Sequence, residues 1–200
     1  MKRIGFGQVE PNHLSAQRTA QIYAQLPAKS DINILENGQY VKYDYAAGVV
    51  DFTGAGEWMM VFNEVKLYDD AWRETYKDFA MRKENYTEGS YFTNDQQGNP
   101  TVEHTVSHNG VGPLKGQMVP RVIKTNIGDI YTTNCLKVAN TDGKAEVTME
   151  TYAIGDKLVP NAQGFLEKKA TPAATDMVWQ VVKIYTLADG QDAVKVMRIA

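Results

Sequence analysis

The 200-residue sequence has few cysteines and histidines, the residue types that form disulfides and that serve in much of enzyme catalysis. Its one cysteine, Cys135, excludes an internal disulfide, and a chain of this length buries enough surface to fold without one. Its three histidines are His13, His104 and His108. With 21 Lys and Arg against 24 Asp and Glu, the net charge of −3 has the wrong sign for a dedicated binder of polyanions. We therefore expect no binding to nucleic acid or to an anionic membrane.

Long apolar runs are also missing. Residues 58–62 form one of the longest, far below the roughly 20 residues that span a bilayer. After the basic opening of residues 1–7, the polar residues Gln8, Glu10, Asn12 and His13 follow where a secretion signal needs its apolar core. We expect a protein that is made in a cytoplasm, in which Cys135 is a small core residue.

Turn and strand signals are abundant. Asn-Gly and Asp-Gly accept the positive φ angles of tight turns, and such pairs separate alternating apolar and polar runs at residues 37–38, 142–143 and 189–190. Further short strand candidates, bounded by Gly, Asn, Asp or Pro, are residues 49–52, 58–68, 121–125, 130–133, 157–159 and 165–167. The prediction is a mainly β chain, folded as an antiparallel β-barrel or β-sandwich body.

One or two short helices accompany these strands. The first is predicted over residues 15–26, capped by Ser15 and ended by Pro27. The second is capped by Asp69 or Asp70 and has an apolar stripe of helical period that continues to residue 83.

Composition divides the chain into four segments. Residues 1–30 are a predicted N-terminal arm, residues 31–85 an N-terminal β part, residues 86–118 a polar loop excursion with one poor hairpin near residues 101–107, and residues 119–200 a C-terminal barrel-like part. The arm carries a net charge of +3 and the remainder −6. The arm therefore suits docking on an acidic protein surface, or its four basic residues are simply solvated.

No motif in the sequence identifies an activity. Glu103, His104 and His108 supply a carboxylate and two imidazoles, but the glutamate lies outside the histidine pair, and a zinc site needs further ligands. Cys135 has no cationic neighbour in sequence that would lower the pKa of its thiol. We predict no catalytic residues, no metal and no cofactor; the alternative is an enzyme that uses His104, His108 or Cys135. The eleven tyrosines and three tryptophans fit core, protein-interface or carbohydrate-contact positions.

Four stretches together resemble small virion proteins of tailed bacteriophages that serve as capsid decoration, or cement, proteins: residues 14–26, 36–45, 119–129 and 181–196. The resemblance implies a β body with an extended N-terminal arm, bound in many copies outside the assembled capsid. It implies the major capsid protein as partner, with further copies of the chain or other head proteins beside it. The implied location is the surface of the virion, assembled in the host cytoplasm.

The resemblance directs attention to the N-terminal arm as the segment that bridges capsid subunits. A ligand that binds only the assembled lattice stabilises it, and an arm and a body that contact neighbouring subunits gain effective concentration. The predicted capsid contacts are the basic and apolar arm residues Arg3, Phe6, Arg18, Ile22, Tyr23 and Leu26. The alternatives are a receptor- or carbohydrate-binding head-fibre or tail module with an exposed aromatic groove, or another internal head structural protein.

Overall fold

The structure is a computed structural model that describes residues 1–4, 6–63, 80–83, 88–94, 100–107, 118–137, 146–188 and 190–200. These residues form antiparallel sheets and one helix of four residues, which confirms the mainly β prediction. In chain order the elements are β1 (Lys2–Ile4), β2 (Val9–His13), α1 (Ala16–Thr19), β3 (Ile22–Tyr23), β4 (Ile34–Glu36), β5 (Tyr40–Asp44), β6 (Val49–Asp51), β7 (Met59–Val61), β8 (Ala80–Arg82), β9 (Glu88–Asn94), β10 (Pro100–Ser107), β11 (Val122–Ile123), β12 (Ile130–Thr133), β13 (Glu146–Thr148), β14 (Lys157–Pro160), β15 (Leu166–Lys168), β16 (Trp179–Thr186) and β17 (Asp192–Arg198).

Two larger sheets make up the main part of the fold. The first has six strands in the order β15-β14-β16-β17-β12-β2, and the second has five in the order β3-β11-β7-β5-β6. Three pairs complete the structure: β1 with β13, β4 with β8, and β9 with β10. The last pair shows that the predicted excursion contains a hairpin, with Ser107 opposite Glu88 and Pro100 opposite Asn94.

The five-stranded sheet is closed on itself by residues 22–29. At one edge, β3 pairs with β11. The chain then crosses to the other edge, where Ala28 forms a bridge with Val50 and the Lys29 N–H donates to the Val50 carbonyl at 2.9 Å. This segment contacts both edge strands, so the sheet is barrel-like and its edges are paired rather than open.

The barrel-like sheet is buried on both faces, because successive side chains of a strand point to opposite sides. Val41, Val61 and Val122 belong to one apolar cluster, and their neighbours Met60 and Ile123 belong to the other. The cluster that contains Met60 and Ile123 also includes Tyr131 and Trp179 of the six-stranded sheet. The two sheets therefore pack together in the manner of a sandwich.

Three aromatic side chains join the two sheets. The Trp179 ring of β16 lies edge-on to the Tyr131 ring of β12, with 4.9 Å between centroids, and 6.0 Å from the Tyr40 ring of β5. The Tyr40 and Tyr131 hydroxyls share a hydrogen bond of 2.8 Å, so neither phenol is buried without a partner. Burial raises the pKa of both tyrosines, which keeps them neutral in the core.

The segment predicted as an N-terminal arm, residues 1–30, contains three strands that pair with other parts of the described structure. β1 pairs with β13, β2 is an edge strand paired with β12, and β3 closes the barrel. The Arg3 guanidinium forms an ion pair with the Glu36 carboxylate, and both side chains are buried. The basic leader is thus held by a partner 33 residues away, which composition does not reveal.

The two helix predictions have different outcomes. The first helix is limited to α1, since Ala20 adopts the left-handed conformation with φ 55° and the following residues form β3. Residues 80–82, at the end of the second predicted helix, form strand β8 instead. The earlier part of that prediction, residues 69–79, lies outside the described residues.

The predicted hairpins have three different outcomes. Asn37 and Gly38 form a turn, with φ 89° at Gly38, but β4 then pairs with β8 while β5 pairs with β6 and β7. The third hairpin is confirmed, since β16 and β17 pair from Trp179 opposite Arg198 to Thr186 opposite Asp192. The turn at residues 142–143 lies outside the described residues.

We expect Arg3→Met to lower the free energy of unfolding by about 3–5 kcal/mol, because it leaves the Glu36 carboxylate buried without its cation. The Gly7 N–H, which donates to Glu36 at 2.7 Å, does not neutralise that charge. Urea denaturation measures the change, and the double variant Arg3→Met with Glu36→Met is expected to recover part of it. Lys169→Met, which breaks the exposed pair with Asp176, is the control. A loss for Arg3→Met no larger than that of the control would contradict the assignment.

Candidate functional site

An open groove lies beside the closing segment of the barrel-like sheet. Its volume is about 430 Å³, within the range of ligand pockets, and three tyrosines line it, so we call it the tyrosine groove. The full lining is Tyr23, Tyr43, Asp44, Tyr45, Gly54, Ala55, Gly56, Glu57, Met59 and Lys124.

The strands set the positions of the tyrosines. Tyr43 and Tyr45 are two residues apart at the end of β5, so strand alternation places both on one face. Their rings meet edge-to-face, with 5.6 Å between centroids, and Tyr23 of β3 meets Tyr43 in the same way at 6.2 Å. The Tyr43 hydroxyl accepts a hydrogen bond from the Gln25 N–H at 3.3 Å, which ties it to the closing segment.

Exposure differs along this row of rings. Tyr43 is buried and Tyr23 is half-buried, whereas Tyr45 is 71% exposed. Burial raises the pKa of Tyr43, so its phenol stays neutral at physiological pH. The groove therefore has a fixed inner wall and one large aromatic ring that is available to a partner.

Opposite charges balance at the rim. Glu57 forms ion pairs with Lys124 at 3.2 Å and with Arg198 at 3.3 Å. Lys42 donates to the Gly54 carbonyl and lies 4.6 Å from the centroid of the Trp58 ring. The groove thus offers aromatic faces rather than excess charge of one sign, and this suits ring stacking and apolar contact.

The predicted contact residues are dispersed through the fold. Arg3 and Phe6 are buried. Arg18 is exposed on α1, and Ile22 and Leu26 are half-buried against the core. Tyr23 is the member of that set that lines the tyrosine groove. That any of these six residues contacts a capsid subunit stays a prediction.

The residues considered for catalysis are not assembled into a site by the described structure. Cys135 is buried, and burial raises the pKa of its thiol well above the ordinary value, which disfavours the reactive thiolate. His13 lies opposite Ile130 at one end of β12, and Cys135 follows the other end. His104 lies on β10 opposite Tyr91, while His108 is outside the described residues.

In the described part of the chain, no three His, Cys, Asp or Glu side chains are placed to hold a metal ion. No helix in that part of the chain has the length and apolar character needed to cross a bilayer.

Most of the groove was missed by sequence reasoning. Tyr43, Glu57 and Lys124 were not among the predicted contacts, because they converge from separate strands and loops. One signal was present: the alternation of Tyr43 and Tyr45 along a strand places two tyrosines on one face.

Comparison with known proteins gives no relative of this chain: no family model matches it, and neither does any curated protein or solved structure.

The ion pair between Lys29 and Asp51 leads to a pH prediction, because it holds the segment that carries Tyr23. Burial acts to raise the pKa of Asp51, but hydrogen bonds from Lys29, Thr53 and the Phe52 N–H outweigh it and hold the pKa below its usual value. A lowered folded-state pKa stabilises the protein above the ordinary carboxyl pKa of about 4 and loses that effect as the pH falls through the lowered value.

We therefore expect Asp51→Asn to unfold at lower urea concentration than the natural chain at neutral pH. The difference should shrink as the pH falls from about 4, where the carboxylate of the unfolded chain becomes protonated, through the lowered pKa of Asp51 in the folded chain. Urea denaturation from neutral to acid pH measures this. A difference that stays constant over the whole range would contradict a contribution from the charged pair.

Proposed function

We propose that this chain is a structural protein of a tailed-phage virion that binds the outside of the assembled capsid and bridges adjacent major capsid subunits. The tyrosine groove carries the proposal, together with the resemblance of the sequence to capsid decoration proteins. In this role the protein stabilises the DNA-filled head and performs no chemical step.

The groove supports binding rather than catalysis. Among the described residues, its lining contains neither histidine nor cysteine, and the acidic side chains are already engaged: Glu57 with two cations, and Asp44 with the Ala47 N–H at 3.0 Å. A nucleophile requires a positioned base that activates it. These residues supply a surface for a partner instead.

The tyrosines suit recognition of a protein segment. Tyrosine is enriched at the energetic centres of protein interfaces, because it brings a large apolar ring and a polar hydroxyl with few rotatable bonds. Tyr43 is fixed by its contacts on both sides, so Tyr45 is supported from behind. The ion pairs of Glu57 beside these rings provide the polar rim that surrounds such a centre.

Bridging by this protein does not depend on a detached arm. Since β1, β2 and β3 are paired with other strands, we place the contacts with two capsid subunits on separate surfaces of the folded domain. A rigid domain that contacts two subunits stabilises the lattice by mass action, since it binds the assembled form and not the isolated subunit. The capsid surface of the virion, assembled in the host cytoplasm, is the corresponding location.

A carbohydrate-binding head-fibre or tail module is the second candidate. The observation that favours it is the exposure of Tyr45 at the edge of an open groove, since aromatic faces also stack on sugar rings. In this case the groove would take a host surface glycan instead of a capsid segment.

We expect Tyr45→Ala to weaken binding to assembled capsids by about tenfold, as truncation of a central interface tyrosine does. The folded state should be little affected, because the side chain is largely exposed. Co-sedimentation with filled capsids of the encoding phage, and with unassembled capsid protein, measures the affinity. Ile154→Ala is the control, since Ile154 is equally exposed and lies outside the groove.

Each outcome favours one function. Selective binding to assembled capsids that depends on Tyr45 supports the decoration role. Absence of capsid binding, combined with Tyr45-dependent binding to an immobilised glycan panel, supports the carbohydrate module. Capsid binding that survives both substitutions equally would show that the groove is not the contact.

A further inference from the structure

The exposed side of the β16–β17 hairpin holds two lysines opposite each other. Lys183 and Lys195 are register partners on these antiparallel strands. Both ammonium groups lie over the same ring, with Lys183 Nζ at 5.7 Å and Lys195 Nζ at 5.8 Å from the centroid of Tyr185. We call these three residues the lysine pair surface.

Like charges that are directly opposite across a strand pair destabilise a sheet. The Tyr185 ring offsets part of this cost through cation–π attraction. No carboxylate within the described residues forms an ion pair with either lysine. The pair is therefore a local excess of positive charge on a chain whose net charge is −3.

Glu10 of β2 and Asp192 of β17 lie in the same six-stranded sheet but form no ion pair with either lysine. Across the strands, Lys195 is opposite Thr132, and Thr132 is opposite Glu10, so two strand spacings separate Lys195 from Glu10. Asp192 accepts a hydrogen bond from the Lys2 N–H at 2.7 Å. Within the described part of the chain, the lysine pair surface thus has no acidic partner of its own.

We infer that the lysine pair surface binds an extended acidic segment of a partner protein, whose alternate residues are Asp or Glu. Alternate residues of an extended chain lie roughly 7 Å apart on one face, close to the roughly 5 Å between cross-strand neighbours. One carboxylate then meets each lysine, and the segment packs on the Tyr185 ring. A nucleic acid fits less well than a short acidic segment, because it brings more negative charge along its length to a chain whose net charge is −3.

This inference does not depend on the tyrosine groove or on the capsid proposal, since the two surfaces share no residue. If both hold, the folded domain has two separate contact surfaces, one aromatic and one basic. Such a pair is what bridging by a rigid domain requires.

The test uses the full chain and a fluorescent peptide of alternating Glu and Ser, with fluorescence anisotropy as the readout. We expect binding at low ionic strength that weakens as salt is added. Lys183→Gln with Lys195→Gln should weaken it about fivefold, the effect of two exposed ion pairs. The matched control is Lys157→Gln with Lys169→Gln, which removes the same charge elsewhere on the six-stranded sheet. Tyr45→Ala should leave the peptide affinity unchanged.

Stability provides the second readout. The Lys183→Gln, Lys195→Gln variant removes the repulsion between the two ammonium groups, so its urea midpoint should be unchanged or raised. This is the result expected when residues serve binding rather than stability. Equal weakening of the peptide by the control variant would overturn the inference, because it would reflect net charge alone. Displacement of the peptide by inorganic phosphate at matched ionic strength, or tighter binding of a single-stranded DNA oligonucleotide, would also overturn it.

Discussion

Arg3 and Glu36 form an ion pair that is removed from water, and the course of the N-terminal part of the chain follows from it. A buried charge that loses its partner is strongly destabilising, so β1 must lie beside the end of β4. Glu36 also accepts a hydrogen bond from the Gly7 N–H. Asn37 and Gly38, which follow Glu36, form the turn that leads into the barrel-like sheet. One contact thus sets the position of the first strand relative to the turn from which β5 starts.

The turn at Asn37 and Gly38 is packed from several sides. Gly38 has φ 89° and donates its N–H to the Val61 carbonyl at 2.8 Å, and a Cβ at this residue would lie 2.7 Å from the Cβ of Cys135. This explains why an Asn-Gly pair, usually typical of an exposed hairpin, is buried here. The chain reverses at this point in order to pass from one sheet to another.

The closed barrel-like sheet gives the candidate site its rigidity. Residues 22–29 contact both edges of the sheet, and they bring Tyr23 beside Tyr43 at the groove. Packing of Tyr40 against Trp179 and Tyr131 then fixes the barrel-like sheet on the six-stranded sheet. Binding surfaces on such paired strands need little reorganisation, and this lowers the entropic cost of binding a partner.

Local patterns in the sequence were sufficient for strands β6, β7, β11, β12, β14 and β15, for the turn at Asn37 and Gly38, and for the β16–β17 hairpin, because each depends on neighbours within a few residues. They did not indicate β1, β2, β3 or β8. They also place Tyr43 and Tyr45 on one face. They did not reveal that β4 pairs with β8 rather than β5, or that Arg3 forms an ion pair with Glu36. Nor did they reveal that Tyr23 and Lys124 line the same groove. Those arrangements join residues far apart in the chain, and they are selected by which pairings bury charge and apolar surface together, a property of the whole packed fold.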